Sequence, residues 1–184
     1  IGGKRYSMRE CHFPTIDPAD PYKLSVEESE VIERIAHSFT TSEKLQRHIG
    51  CLIDHGSMYL VYNGNLLFHA SIPMNPDGTL KEVYLHDGLY KGRALLDKVD
   101  SLIRVACSSD SDAELHAFAV DYLWYLWCGK NAPTFDKDRM ATFERYFLKD
   151  KAVMKETKGS YYTLRNEDAT VDLLLEEFGV EGDH

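Results

Sequence analysis

A single histidine ends the second of two apolar runs near the middle of the sequence. His69 follows residues 66–68, and the small residues Ala70 and Ser71 come directly after it. A neutral imidazole is a common metal ligand, and small neighbours leave room for a ligand or for another backbone segment. The same imidazole could instead lie in the core with its nitrogens satisfied by hydrogen bonds. His69 is therefore a candidate metal ligand, with a structural role as the alternative.

The other residues that could do chemistry form a locally basic stretch between residues 139 and 158. The formal net charge of the chain is -9, so this stretch is its only candidate anion-binding region. An arginine can hold a phosphate through two parallel hydrogen bonds. The alternative is a solvated face whose charges pair with nearby Glu and Asp, because exposed ion pairs contribute little. The basic residues of the stretch are Arg139, Arg145, Lys149, Lys151, Lys155 and Lys158.

A β-hairpin should carry the candidate histidine. Two apolar runs flank the turn sequence Asn63-Gly64-Asn65. Both central residues of a type I′ turn need a positive φ, which Asn and Gly adopt most easily. We therefore expect a hairpin over residues 57–73 and a further short strand within residues 80–85.

Helical periodicity accounts for most of the remaining apolar residues. Two capping boxes, at residues 25–28 and 40–43, open a helical pair over residues 25–56. A helical region follows over residues 92–148. Its most apolar helix, residues 113–128, should be buried against several elements, because it is apolar nearly all round. The aromatic residues of that helix could form a cofactor box, but large aromatics dominate buried area, which favours core packing.

The two ends of the chain show different patterns. Residues 1–24 are basic and then rich in Pro and Asp, so we expect an extended arm without regular structure. Residues 25–184 should form the rest of the domain. A C-terminal strand and helix are expected over residues 160–179, with the strand at residues 161–164 and Asn166 as the cap of the helix. The fold class predicted is α+β, mainly helical with a central β-hairpin.

The composition is that of an ordinary globular protein. The 184 residues suggest one domain, with two small subdomains possible, and 43% are hydrophobic and 28% charged. The acidic balance argues against binding to a nucleic-acid backbone. No apolar run approaches 18 residues, so no membrane span is predicted.

The cysteines indicate a reducing compartment. No two of them have the C-x-x-C spacing of a metal or redox site. Because Cys51 and Cys107 fall on apolar helical faces, we expect buried free thiols and a cytoplasmic protein. The four cysteines are Cys11, Cys51, Cys107 and Cys128.

Four stretches of the sequence are specific enough to compare with known families. They are F-T-T-S-E-K-L-Q from Phe39, G-S-M-Y-L-V-Y-N-G-N-L-L-F-H from Gly56, D-Y-L-W-Y-L-W-C-G-K from Asp121 and M-A-T-F-E-R-Y-F-L-K-D-K from Met140. Together they resemble the class III fructose-1,6-bisphosphatases of Firmicutes and related bacteria. These are large members of the calcineurin-like metallophosphoesterase group. The similarity spans nearly the whole chain, but the proteins of the family are several times longer.

The resemblance implies an activity and a metal. The family hydrolyses the 1-phosphate of fructose 1,6-bisphosphate in gluconeogenesis, usually with Mn²⁺, on an α/β sandwich with a two-metal site at strand ends. The ligands of the group come from an Asp-x-His pair, Gly-Asp-x-x-Asp-Arg, Gly-Asn-His-Glu, a strand-end His and a final Gly-His-x-His-type motif. Of these, the chain contains the strand-end His, which we place at His69. Residues 182–184 look like the lead-in to the final motif. The chain departs from the group at Ala70, where Gly is common.

The resemblance also implies how the substrate is held. Two metal ions about 3.5–4 Å apart can clamp the phosphate that reacts. A sugar bisphosphate has a second phosphate that needs cationic partners, and Arg139, Arg145, Lys149 and Lys151 are expected to supply them.

Two hypotheses follow for the chain itself. The first is an internal fragment of a metal-dependent sugar bisphosphatase, inactive alone because most metal ligands are absent. The second is a non-catalytic helical regulatory or interaction module with His69 in its core. A cleft around His69 that is open to solvent and lined by basic residues would favour the first. A fragment would also expose apolar surfaces that a companion segment or a second copy should cover.

Overall fold

The computed structural model describes residues 1–10, 12–108 and 111–180, and it is an α+β fold with two β-hairpins. In chain order the helices and strands are α1 (Val26–Thr41), α2 (Glu43–His55), β1 (Tyr59–Tyr62), β2 (Asn65–Phe68), β3 (Val83–Leu85), β4 (Gly88–Tyr90), α3 (Gly92–Ala106), α4 (Ala113–Cys128), α5 (Thr142–Phe147), a 3₁₀ helix (Lys151–Met154), α6 (Tyr161–Leu164) and α7 (Asp168–Glu177). The mainly helical α+β class predicted from the sequence is confirmed.

The described residues form two compact units. The first unit contains residues 1–55 and 142–154, and the second contains the described parts of 56–141 and 155–184. The predicted arm, residues 1–24, belongs to the first unit and has no named helix or strand in its described part. An isolated antiparallel bridge joins Met8 to Leu148 and holds the arm to the segment after α5.

Helix α1 begins at the capping box predicted for it. The Ser25 hydroxyl accepts a hydrogen bond from the Glu28 N–H at 3.2 Å, and the Glu28 carboxylate accepts one from the Ser25 N–H at 2.8 Å. This reciprocal pair satisfies two N–H groups at the start of the helix. The Thr15 hydroxyl also donates to Glu28 at 2.6 Å, which ties the N-terminal arm to α1.

The second predicted capping box is wrong. Thr40 lies in the last turn of α1, where its hydroxyl donates to the Ala36 carbonyl at 3.1 Å. The start of α2 is capped by Ser42, whose hydroxyl accepts from the Leu45 N–H at 3.3 Å. The physical reason is that a threonine inside a helix can bond back to the preceding turn, and so it does not serve as a cap.

The apolar faces of α1 and α2 are exposed in the described structure. Neither helix has a residue classed as buried. The exposed fractions are 54% for Ile32, 60% for Phe39 and 71% for Leu52. The apolar side of α2 is therefore only partly covered by the residues described, since Leu45 is half-buried and Leu52 is exposed.

The central hairpin has the predicted turn. Asn63 and Gly64 both have positive φ, at 51° and 72°, as a type I′ turn requires. The antiparallel pairing runs from Tyr59 opposite Phe68 to Tyr62 opposite Asn65. The strand expected within residues 80–85 is β3, and it pairs with β4, which the sequence analysis did not predict.

The core of the second unit lies between α3, α4, α7 and the two hairpins. Tyr59, Leu66 and Phe68 of the central hairpin face this core. The Tyr59 ring packs edge-on against the Phe178 ring, with a distance of 4.8 Å between the ring centroids. The Phe68 ring packs edge-on against the Tyr161 ring in the same way, with 5.7 Å between the ring centroids. The residues with the most complete burial include Ile72, Leu85, Leu95, Leu96, Val99 and Leu102.

Helix α4 has the predicted bounds but not the predicted environment. It buries Ala119, Tyr122 and Leu126 on the side that packs on α3. The opposite side is exposed, with 64% of Trp124 and 61% of Trp127 accessible to solvent. The expectation of burial against several elements is therefore wrong for the described structure, because only one face of α4 finds a packing partner there.

The C-terminal region is helical where a strand was predicted. Residues Tyr161–Leu164 form α6, with the Leu164 N–H donating to the Ser160 carbonyl at 3.1 Å. The β-forming preference of its tyrosines is outweighed by packing of Tyr161 against Phe68. The cap position of α7 is Glu167 rather than Asn166, without a side-chain hydrogen bond. Gly179, at φ 65°, ends α7 as predicted.

The thiol environment also differs from the prediction. Cys51 and Cys107 are exposed and Cys128 is half-buried, and all three are free, so the expected burial is wrong. Cys51 lies on the outer side of α2, and Cys107 follows the last residue of α3, outside the apolar face of that helix. Cys11 and residues 181–184 lie outside the described residues. In the described part of the chain, no helix has the length and apolar character that crossing a membrane requires.

Candidate functional site

His69 lies directly after β2 and is exposed. Strand alternation places Phe68 toward the core and therefore turns His69 to the outer side of the hairpin. A groove of about 360 Å³ runs beside it, between the hairpin and Thr134. Among the described residues, His69 is therefore not part of the core.

The backbone after His69 makes an unusual bend. Ala70 has a φ of 63°, in the left-handed region that a residue with a Cβ rarely adopts. The Ser71 N–H donates to the carbonyls of His69 and Pro133, both at 3.0 Å. Residues 71–74 are buried. The bend thus leaves His69 at the surface while the next four residues enter the core.

The donors beside His69 do not make a metal site on their own. The groove is lined by the hydroxyls of Ser57 and Thr134 and by apolar and aromatic side chains of the hairpin. Within the described ranges, no group of three or more His, Cys, Asp and Glu could hold a metal ion. Metal centres that catalyse hydrolysis take at least three protein ligands. His69 can therefore supply one ligand, and the described residues do not fit a complete centre.

The four residues predicted to bind substrate are divided between the two units. Arg139 belongs to the second unit and is half-buried, where its Nη2 donates to the Lys155 carbonyl at 2.9 Å. Arg145, Lys149 and Lys151 belong to the first unit and are exposed, on α5, on the link after it and on the 3₁₀ helix. The structure does not bring the four side chains together within either unit.

A lysine-rich pocket in the second unit was not predicted. Its volume is about 320 Å³, and its walls come from three separate chain segments. The lining residues that carry charge are Lys81, Lys130, Asp136, Lys137, Asp138 and Lys158. The lining therefore contains four lysines and two aspartates, in a chain whose net charge is -9.

Each lysine of the pocket is held in a different way. The Lys81 ammonium donates to the Asn131 side chain at 2.8 Å, and Lys137 pairs with Glu156 at 2.7 Å. The Lys158 ammonium lies over the Tyr162 ring at 4.6 Å, a cation–π contact. Lys130 is exposed. The positive charge of the pocket is thus positioned by neighbours without being fully neutralised.

Asp136 is the buried acidic group of this pocket. It is 4% exposed, and its Oδ2 has no hydrogen-bond partner among the described residues. Burial raises the pKa of the carboxyl above its usual range, while the nearby Ser71 hydroxyl and the charge of Lys81 oppose the rise. Gly159 is what makes room for this carboxylate, because a Cβ at that position would overlap it.

This pocket could not be predicted from the sequence, because its residues are far apart along the chain. Lys158 was noted in the basic stretch, but its neighbours in space come from the turn before β3 and from the loop after α4. One signal was available in that loop. Asn131 and Asp136 flank Pro133, and Asn and Asp are the residues that tolerate a left-handed conformation, which both adopt here.

Comparison with known proteins gives consistent results over the whole chain. The sequence is 59% identical over 182 residues to a Phocaeicola vulgatus protein named fructose-1,6-bisphosphatase class 3, covering 99% of this chain and 27% of the relative. A Bacteroides fragilis protein of the same name is 58% identical with the same coverage. A Clostridium novyi protein of that name is 47% identical over 183 residues, covering 100% of this chain and 28% of the relative.

The chain thus spans about a quarter of the length of the curated relatives it matches. No solved structure matched the chain. The sequence model of the family described as Firmicute fructose-1,6-bisphosphatase matches residues 1–184. The chain therefore belongs to the Firmicute fructose-1,6-bisphosphatase family.

Proposed function

We propose that the chain is part of a phosphatase that removes the 1-phosphate of fructose 1,6-bisphosphate, in the cytoplasm and as a step of gluconeogenesis. The observation that carries this proposal is the 59% identity to a fructose-1,6-bisphosphatase class 3 over 99% of the chain. The exposed free thiols of Cys51 and Cys107 agree with a reducing compartment. Because the described residues lack a complete metal centre, the chain alone should be inactive.

The proposed cofactor is Mn²⁺, with His69 as one ligand of a centre whose other ligands lie outside the described residues. Its exposure and its position at the end of β2 leave the imidazole available to a partner segment. The proposed substrate contacts are Arg139, Arg145, Lys149 and Lys151. The exposure of Lys149 and Lys151 leaves their charges available to a phosphate.

The proposed partner for the exposed apolar faces is the remainder of the family's polypeptide. The relatives are several times longer than this chain, since it covers 27% of the first of them. The outer face of α4 exposes two tryptophans, and a contiguous exposed apolar patch can mark a surface that another protein segment covers. A second copy of the chain covering the same face would appear in the experiments as a dimer.

The test uses the intact protein that contains this segment. Purified with Mn²⁺, it should release phosphate from fructose 1,6-bisphosphate and leave fructose 6-phosphate as the product. His69→Ala should lower both the bound manganese and kcat, whereas His37→Ala, an exposed histidine on α1, should change neither. An intact protein that releases no phosphate from this substrate would contradict the proposed function. Full metal content and turnover in His69→Ala would contradict the ligand role alone.

A further inference from the structure

We propose that the loop after α4, residues 129–136, is a positioning element for His69, and that a buried hydrogen bond from the Ser71 hydroxyl to the Asp136 carboxylate joins this loop to the bend at residues 69–71. Both side chains act through the backbone beside the imidazole and bind neither metal nor substrate. The importance of His69 rests on the proposed function. The packing of the loop on the bend does not, because all of these residues belong to the second unit.

The first link between the loop and the bend is made by backbone atoms. The Ser71 N–H donates to the Pro133 carbonyl at 3.0 Å, and to the His69 carbonyl at the same distance. Ala70, which lies between His69 and Ser71, has a φ of 63°, so the chain changes direction at this point. Because the conformation of the bend determines where the imidazole lies, the hydrogen bond to Pro133 makes that position depend on the loop.

The second link is inferred from two buried side-chain atoms. Ser71 is 1% exposed and Asp136 is 4% exposed. Ser71 Oγ and Asp136 Oδ2 have no hydrogen-bond partner among the described residues, and the two side chains lie next to each other. A hydroxyl can donate to a carboxylate, and buried polar groups are nearly always hydrogen-bonded. A small adjustment of the Ser71 side chain toward Oδ2 therefore satisfies both atoms at once.

The loop is also held to other parts of the second unit. The Asp136 N–H donates to the Ala132 carbonyl at 2.8 Å, and the Asp136 carbonyl accepts from the Gly159 N–H, also at 2.8 Å. The Lys81 ammonium donates to the Asn131 side chain at 2.8 Å. A loop fixed at several places can restrain the bend, whereas a loop without these contacts could not.

The same loop forms one wall of the groove beside His69. Thr134 is the loop residue that lines this groove, and its hydroxyl donates to the Leu126 carbonyl in α4. Histidines that bind metals are usually oriented by groups that do not touch the metal, and removing such a group weakens metal binding about 10–100-fold. Since Ser71 and Asp136 act through the backbone, we expect an effect at the lower end of this range.

The test measures manganese affinity and local hydrogen exchange in the intact protein that contains this segment. Ser71→Ala removes the hydroxyl and keeps the Ser71 N–H. It should weaken manganese binding to the metal-free protein about tenfold in calorimetric titrations, and it should speed exchange in the peptide over residues 69–75. Unchanged manganese affinity in Ser71→Ala would overturn the proposal.

The matched control is a buried hydroxyl residue elsewhere in the same unit. Thr170 lies on α7 and is 3% exposed. Thr170→Ala should lower the melting temperature without changing manganese affinity or the exchange of residues 69–75. If Thr170→Ala weakens manganese binding as much as Ser71→Ala, the effect of Ser71 is one of general stability and the positioning role is wrong.

Two further variants test each link of the loop. Asp136→Asn keeps an acceptor oxygen for the Ser71 hydroxyl, so manganese affinity should stay within about twofold of that of the unsubstituted protein. An Asp136→Asn protein that binds manganese as weakly as Ser71→Ala would contradict the hydrogen bond. Asn131→Gly removes the contact with Lys81 at a position whose φ of 65° suits glycine, and it should weaken manganese binding less than Ser71→Ala. If Ser71→Ala does not fold, unchanged affinity in Asn131→Gly would overturn the role of the loop.

Failure of the proposed function gives a different result. If His69→Ala keeps its manganese, the ligand role is wrong, and the exchange of residues 69–75 still decides whether Ser71 and Asp136 are hydrogen-bonded. Faster exchange in Ser71→Ala but not in Asp136→Asn supports that bond. If His69→Ala loses manganese and Ser71→Ala does not, the ligand role stands and the positioning role is wrong.

Discussion

The left-handed conformation of Ala70 is the clearest strained feature next to the candidate metal ligand. The left-handed conformation destabilises a residue with a Cβ by about 1–2 kcal/mol, and it does not destabilise glycine. Glycine also gains more freedom in the unfolded chain, which costs about 0.5–1 kcal/mol. Ala70→Gly should therefore stabilise the intact protein by about 0.5–1 kcal/mol, measured by urea unfolding.

The control for this substitution is an alanine with ordinary geometry. Ala152 is exposed on the 3₁₀ helix and its φ is not positive. Ala152→Gly should destabilise by about 0.5–1 kcal/mol, the opposite sign. A loss of stability in Ala70→Gly equal to that of Ala152→Gly would mean that the strain at Ala70 is relieved by its surroundings.

Asp136 makes stability depend on pH in an identifiable direction. Burial raises its pKa above the ordinary 3.8, so between that value and the raised pKa the folded protein binds more protons than the unfolded chain. Stability contributed by this carboxyl therefore falls as pH rises through that window. Asp136→Asn should remove this part of the pH dependence and make the protein more stable above the window. Urea midpoints of the unsubstituted protein and of Asp136→Asn should be measured from pH 4 upward in steps of about 0.5 pH unit. If the carboxyl were not buried, the midpoints of the two proteins would change with pH at the same rate.

Among single residues, a feature formed by neighbours in the sequence could be predicted, and a feature formed by residues far apart in the sequence could not. His69 could be identified because a turn signal, a strand and a polar side chain follow one another in the chain. The pocket around Asp136 could not, because Lys81 and Lys158 meet there only after folding. The sequence on either side of each lysine contains no pattern that predicts their proximity.

At the scale of elements, the start of α3 depends on a residue of α7. Lys91, the N-cap residue, provides no side-chain hydrogen bond, and the Glu177 carboxylate accepts from the Arg93 N–H at 2.9 Å instead. A carboxylate at this end of a helix is favoured by the helix dipole. Gly92 makes the contact possible, since its φ is 52° and a Cβ there would overlap Glu177.

Substitution of Gly92 should consequently be costly. Gly92→Ala adds backbone strain of about 1–2 kcal/mol and displaces the carboxylate, so we expect a total loss of about 2–3 kcal/mol. Gly88→Ala is the matched control in the same unit, because its φ is not positive and the nearest atom to the new Cβ would be 3.5 Å away. That control should change stability by less than about 0.5 kcal/mol. Equal effects of the two substitutions on the urea midpoint would refute the capping role of Glu177.

Elements whose ends carry local sequence signals could be predicted, and elements whose conformation depends on packing could not. The turn at Asn63-Gly64 and the bounds of α4 follow from local signals, an Asn-Gly pair and a terminal Gly129. The segment Tyr161–Leu164 has the composition of a strand, but it forms a helical turn that packs against Phe68. Four residues contain too little periodicity to decide between the two.

For the molecule as a whole, the division into units does not follow the order of the chain. Residues 142–154 belong with residues 1–55, through contacts such as the bridge between Met8 and Leu148. Two small subdomains were considered from length alone. Which residues belong to each subdomain could not be predicted, because a bridge between residues as far apart in the sequence as Met8 and Leu148 leaves no local pattern.

The exposed outer face of α4 separates two descriptions of the whole molecule. If the remainder of the polypeptide covers this face, Trp124 and Trp127 are core residues in the intact protein, and large-to-small substitution there costs about 3–5 kcal/mol. If the face is solvent-exposed, substitutions cost less than about 0.5 kcal/mol each. The sequence contains no other tryptophan than these two.

Trp124→Gln with Trp127→Gln in the intact protein should therefore lower the free energy of unfolding by several kcal/mol. Tyr84→Gln is the control, because Tyr84 is 69% exposed on β3, comparable to the two tryptophans. It should leave the unfolding midpoint nearly unchanged. The relevant comparison is between these two variants, since both remove an aromatic ring that is open in the described structure. If the double variant is as stable as Tyr84→Gln and the protein stays monomeric at all concentrations, no part of the polypeptide covers this face.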